Sequence, residues 1–204
     1  MDLQKFKMQF WNTALNYNAK RNRYFDVDDY NKDFLDLICR YFCQDKSFEE
    51  LTSGELRKGL LIYGNCGTGK SSVFDIVREI VFKNKFNPFY FKNVSVHSVI
   101  NEFNVQNHTN IKFGESVVEK YCRGIIHFDD VGAETKVQAW GIKEELFDRI
   151  LQQRYNKFKD KGIRTFITTN LTIDDLERRY SPQVKSRIHE MFNFLELSGP
   201  DRRF

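Results

Sequence analysis

The chain is short of cysteine pairs, of net charge and of long apolar runs, and each shortage excludes something. Its four cysteines, at 39, 43, 66 and 122, include no CxxC pair, and its four histidines are scattered. That spacing argues against a zinc site. Cys39 and Cys43 fall in an apolar helical pattern, so they read as buried free thiols in a reducing, cytoplasmic setting. The formal net charge is only +4, which permits nucleic-acid binding without demonstrating it. No stretch reaches the roughly 18 apolar residues that span a membrane, and the N-terminus MDLQKFKMQFW is too charged for a signal peptide. Repeats, linkers and low-complexity tracts are also missing.

What is present suits one domain with a real core. Of the 204 residues, 41% are hydrophobic, and phenylalanine alone occurs 20 times. Such a length and content fit a single globular unit. Two segments, Leu3 to Asn18 and Asp28 to Phe42, carry apolar residues at helical spacing, each with a greasy face that needs a partner. They form an N-terminal helical segment over residues 1–50, ahead of a core over 51–204.

From Gly59 onward short apolar runs alternate with helical patterns. LLIY, Pro88 to Phe91, IIHF, Arg164 to Thr169 and FNFLEL (192–197) read as five strands. Helices are expected over Gly69 to Phe82, from a Ser95 cap to about Gln106, over Gln138 to Phe158, Thr172 to Tyr180 and Pro182 to Phe192. Asn104 to Lys112 reads as a surface loop. The alternation predicts an α/β fold, a mostly parallel five-stranded sheet flanked by helices.

GNCGTGKS, from Gly64 to Ser71, fits G-x-x-x-x-G-K-[ST] in full, between a strand and a helix. Backbone N–H groups of Gly64, Asn65, Cys66, Gly67, Thr68, Gly69 and onward to Ser72 would turn toward phosphate oxygens, helped by the helix N-terminus. Lys70 would reach the β- and γ-phosphates of ATP, and Ser71 would ligate Mg2+. IIHFDD supplies the second half: Asp129 to hold the metal and Asp130 to polarise the attacking water. TFITTN ends in Asn170, placed to touch the γ-phosphate or orient the water, with Thr168 and Thr169 as weaker candidates. Among the C-terminal basic residues Arg178, Arg179, Lys185, Arg187, Arg202 and Arg203, Arg187 is the first choice for an arginine presented to a neighbour's γ-phosphate.

GNCGTGKS, IIHFDDVGAE and TFITTNLTIDDLERRYSPQVKSRIHEM together resemble the AAA+ ATPase domain of the DnaC/DnaI helicase loaders and the related IstB transposition helpers. The resemblance covers roughly residues 50 to 204. It implies paired aspartates at 129 and 130, a sensor asparagine at 170 and an arginine finger at 187. It further implies ATP-dependent homo-oligomers on single-stranded DNA and a helicase or transposase-like partner. Only about 58 residues precede the first strand, short for a full helicase-gripping module, and the sequence after FNFLEL leaves no room for a C-terminal helical lid. Weak ATPase activity alone, rising on assembly, is expected.

DNA contacts are expected from Asn107, His108, Asn110, Lys112 and Lys136, or from a basic patch of Lys20, Arg21 and Arg23. Two other functions compete. A non-hydrolytic switch would use ATP binding to toggle a partner surface on the N-terminal helices. A nucleotide kinase would need an arginine-rich lid between the third and fourth strands, where the helix offers only Arg149 and Arg154.

Overall fold

Five short strands pair in parallel: β1 (Gly59–Tyr63), β2 (Phe91–Ser95), β3 (Ile125–Asp129), β6 (Thr165–Thr169) and β7 (Phe192–Glu196). Their order is β2-β3-β6-β1-β7, and every pairing between them is parallel. This computed structural model describes residues 2–83, 89–108, 116–133, 137–139, 142–144 and 146–203. The mostly parallel α/β sheet expected from the sequence is therefore present.

Both faces of the sheet are covered, which is why its strands are apolar almost throughout. Alternate residues supply the two faces. Leu61, Ile126, Phe128 and Ile167 belong to one core, covered by α5 (Val96–His108), α6 (Val117–Lys120), α7 (Leu146–Lys161), α8 (Ile173–Arg179) and α9 (Pro182–Met191). Leu60, Ile62 and Phe166 belong to the other, covered by α1 (Leu3–Ala19), α2 (Lys32–Cys43), α3 (Ser47–Thr52) and α4 (Lys70–Lys83). The abundant phenylalanine fills this second core. Tyr41, Phe42, Phe74, Phe91 and Phe166 meet there, mostly edge to face, the arrangement that ring quadrupoles favour.

Local chemistry sets the helix starts. Asp2 accepts a hydrogen bond from the Lys5 amide to open α1. Thr172 and Ser181 do the same for α8 and α9, and Pro182 follows at the first turn of α9, a position where its missing N–H costs nothing. Ser116 and Glu119 form a reciprocal capping box on α6.

Three expectations need correction. The second strand lies at Phe91–Ser95 rather than Pro88 to Phe91; Pro88 itself is outside the described residues. FKNVS is an edge strand, and edges tolerate polar residues such as Lys92 and Asn93 that mask the strand pattern. The helix expected over Gln138 to Phe158 starts only at Leu146. Before it, β4 (Val137–Ala139) and β5 (Ile142–Glu144) pair antiparallel, Val137 opposite Glu144. Gly141 in that stretch of sequence is a poor helix former, and Val137 and Ile142 favour strands. Finally, Asn104 to His108 continue α5 instead of forming a loop, while residues 109–112 and Lys136 lie outside the described residues.

Candidate functional site

The carboxyl ends of β1, β3 and β6 converge, because register pairs Tyr63 with Thr169 and Phe128 with Ile167. In open parallel sheets this edge is where ligands bind. Three stretches that the sequence scatters meet there: the turn from β1 into α4, the acids after β3, and the polar end of β6.

The turn follows the glycine pattern. Gly64 has φ +140°, and a Cβ there would lie 2.2 Å from the Leu197 carbonyl oxygen. Gly67 has φ +82°, and a Cβ would strike the Asp201 carboxylate, also at 2.2 Å. Side chains are excluded at both positions by conformation and by space. Lys70 is buried, and its ammonium donates to the carbonyls of Gly64 and Asn65 at 2.8 and 2.6 Å. Burial pulls its pKa below the ordinary lysine value, against the opposing attraction of Cys66, Asp130 and Asp129. The amine thus closes back on its own loop, held at the mouth of α4.

Ser71 and Asp129 are brought into direct contact: the Ser71 hydroxyl donates to Asp129 Oδ1 at 2.6 Å. Thr168, weighed above as a weak candidate, also donates to that oxygen. Among the described residues no group of three or more His, Cys, Asp and Glu side chains gathers to hold a metal. A divalent ion here would therefore take few protein ligands, as magnesium does beside phosphate oxygens.

Asp130 has φ +59°, an uncommon conformation for a residue with a side chain and one that clusters at functional sites. The turn holding it is pinned to β6. The Val131 amide donates to the Thr168 carbonyl at 2.9 Å, and the Thr169 hydroxyl donates to the Val131 carbonyl at 2.6 Å. Asn170 Nδ2 then donates to Asp130 Oδ1 at 3.2 Å. The predicted pair of water-handling residues sits side by side.

A cavity of about 750 Å3 opens over the loop, lined by Cys66 to Ser72, Asp130 and Asn170. Part of its remaining wall comes from two segments that sequence reading assigned elsewhere, and α1, α2 and α4 add Asn18, Leu35 and Ile76. The connector after α1 contributes Asn22, Arg23 and Phe25, and the C-terminal stretch contributes Asp201, Arg202 and Arg203. Arg202 clamps the two together, its Nη2 donating to both Asp28 carboxylate oxygens at 2.8 and 2.7 Å, while its amide donates to the Gly67 carbonyl. Arg203 reaches Cys66 Sγ at 3.3 Å. Arg202 Nε is fully buried and has no hydrogen-bond partner. The cradle, the lysine and the Ser71–Asp129 pair fit a nucleoside triphosphate with magnesium.

The expected basic patch divides. Arg23 faces the cavity, whereas the Arg21 guanidinium stacks on the Tyr17 ring at 3.6 Å. Arg187 does not line the cavity; its guanidinium lies over the Tyr155 ring at 4.8 Å, joining α9 to α7. Two residues that the sequence did not single out belong to the surroundings of the acids. His127 is fully buried, and its Nε2 lies 3.1 Å from Thr168 Oγ1. Burial pushes its pKa down to about 3, against the pull of Asp129. Asn93 lies on its other side, 3.2 Å from Nδ1. The only sequence signal for His127 is its spacing of two from Asp129, which puts both on one face of β3.

No family model matches the chain, and no curated protein matches it. Solved structures do. A DnaC helicase loader superposes with a TM-score of 0.63 at 23% identity, over 92% of this chain and 98% of its own. DnaI gives 0.58 at 22%, over 88% of both chains. A putative primosome component from Streptococcus pyogenes gives 0.58 at 19%, over 86% of this chain and 84% of that one. At these identities the likeness shows the fold alone: a mostly parallel five-stranded α/β sheet flanked by helices. No described helix is long and apolar enough to cross a membrane.

Proposed function

We propose that this protein hydrolyses ATP and uses the cycle to assemble on DNA and recruit or load a partner, of the replicative-helicase or transposase kind. One observation carries the nucleotide reading. Lys70, Ser71, Asp130 and Asn170, from three separate stretches, line one cavity, and Asp129 is hydrogen-bonded to Ser71 beside it. The likeness to a helicase loader and a primosome component supports the DNA-associated part.

In this reading the backbone of 64–72 and the N-terminus of α4 bind the phosphates. Lys70 leaves the carbonyls of Gly64 and Asn65 for the β- and γ-phosphates. Ser71 and Asp129 hold magnesium, which supplies charge neutralisation to the phosphates. Asp130 accepts a proton from the attacking water and Asn170 orients it. Arg187 acts across an interface, on a neighbouring copy's γ-phosphate; its place outside its own chain's cavity is compatible with that role. Sites completed by a second copy make activity weak in the isolated chain. Single-stranded DNA is the expected nucleic acid, and the cytoplasm the expected location.

A specific observation favours a second reading. Met8, Trp11 and Leu15 are exposed on α1, within the N-terminal segment 1–50, and exposed apolar residues of this kind suit a protein partner. ATP binding without turnover would then toggle that surface. Two variants separate the readings. Lys70→Ala should abolish nucleotide binding in either case. Asp130→Ala should keep binding and lose hydrolysis by at least about a hundredfold if Asp130 is the base. Partner capture that survives Asp130→Ala and needs only bound ATP would favour the switch. Hydrolysis unaffected by Asp130→Ala would sink the catalytic assignment.

A further inference from the structure

A line of polar side chains runs from the acids through the sheet to α1. Thr168 contacts both Asp129 Oδ1 and, at 3.1 Å, His127 Nε2. His127 Nδ1 lies 3.2 Å from Asn93 Oδ1. Asn93 Nδ2 donates to Asp75 Oδ1 at 2.5 Å, and the Tyr17 hydroxyl donates to Asp75 Oδ2 at 2.7 Å. The line therefore joins β3, β6, β2, α4 and α1. Phe74 covers its middle, stacked on the His127 ring at 3.9 Å. Buried polar groups in such a place are costly unless each finds a partner.

Counting donors shows where the line is divided. The Asp75 carboxylate accepts from both neighbours, so the Asn93 NH2 faces it and the Asn93 carbonyl faces His127. A carbonyl only accepts, so Nδ1 carries a ring proton; the ring is buried and stacked on Phe74, which favours the neutral imidazole, and in that form Nε2 is an acceptor. Thr168 has one hydroxyl proton for two acceptors, Nε2 and the Asp129 carboxylate. It can serve one at a time.

We propose that this divided proton couples the metal site to α1. With the Asp129 carboxylate bare, the Thr168 hydroxyl points to it and the link to His127 is open. With a divalent cation drawing on that carboxylate, the hydroxyl turns to His127, and the line through Asn93 and Asp75 to Tyr17 closes. No covalent bond changes; one hydroxyl rotates. Thr168, His127, Asn93, Asp75 and Tyr17 are positioning residues, and α1, at the far end, exposes Met8, Trp11 and Leu15. The nucleotide state would thereby be felt on the surface read above as the partner face. This inference rests on Ser71 and Asp129 being the magnesium site.

The test is the affinity of the full chain for a fluorescent ATP analogue, with magnesium and in chelator, for wild type, Thr168→Val, Tyr17→Phe and the double variant. The readout is the ratio of the two affinities, with thermal melts confirming the fold. Losing a hydrogen bond to a charged group corresponds to about tenfold. Thr168→Val should raise the ratio by up to about that much, because the hydroxyl holds the bare Asp129 carboxylate and so competes with the cation, and Thr168→Ser, which keeps the hydroxyl, should return it to the wild-type value. Tyr17→Phe should reduce it by about threefold, and the double variant should match Thr168→Val alone, whereas distant sites that do not communicate would combine within about twofold of the product. A double variant at the full product, or a ratio indifferent to Thr168→Val, would overturn the coupling while leaving the nucleotide site intact. A wild type that binds the analogue equally with and without magnesium would remove the metal site, and the coupling with it.

Discussion

His127 is a histidine kept neutral by its surroundings. Wholly buried and pushed down to about 3, it faces Thr168 and the Asp129 carboxylate on one side, Asn93 with Asp75 behind it on the other, and the Phe74 ring across its plane. Unfolding frees it to take up a proton at its ordinary value near 6.5. The sign follows: the folded pKa lies below the unfolded one, so the contribution to stability is whole above about pH 6.5. It is lost as pH falls from there toward 3. One proton of difference corresponds to about 1.4 kcal/mol per pH unit in that window. Urea unfolding between pH 7 and 5 should show this slope, and His127→Gln should lose that share of it. Superimposable slopes for the two proteins would show that the imidazole is not held neutral by the fold.

At the scale of elements, Arg154 does for α7 what no apolar side chain could. It is almost wholly buried, and its guanidinium donates to the Thr165 hydroxyl and to the carbonyls of Tyr121, Gly124 and Arg164. It thereby ties α7 to the starts of β3 and β6. Each carbonyl left unpaired by its removal costs about 1–3 kcal/mol. Arg154→Leu should lower unfolding free energy by about 3 kcal/mol or more, and Arg154→Lys should recover little, because an ammonium cannot reproduce the planar fork. A loss below about 1 kcal/mol in denaturant titration would contradict this role. The same helix marks how far the sequence was legible. Buried parallel strands are short apolar runs, so four of the five were readable within a residue or two. The start of α7 was not, since an apolar period continues from Ile142 through Leu146 whether or not the backbone stays helical. α3 and α6, of six and four residues, are too short to display a period. Contiguous motifs gave the loop at Gly64 to Ser72, the two aspartates and Asn170. The line from Tyr17 to Thr168 could not be read, because its partners are set by strand order: Tyr17 and Asp75 are 58 residues apart, His127 and Asn93 are 34.

For the whole molecule, two segments far apart in sequence wall the cavity. Asp28 from the N-terminal connector grips Arg202 from the C-terminal stretch, and both segments overhang the phosphate loop. Arg187 stays outside, packed on Tyr155. In the proposed function this arginine serves a neighbouring copy's site. The most direct test is ATP hydrolysis per subunit across protein concentration, with and without single-stranded DNA. It would use wild type, Lys70→Ala, Arg187→Ala and an equal mixture of the two variants. The account predicts a rate that rises with concentration and again with DNA, and near-blank rates for each variant alone. In the mixture, about a quarter of interfaces would pair an intact loop with an intact arginine and recover that share of activity, as in-trans completion requires. A rate independent of concentration, with a mixture as silent as its components, would contradict it.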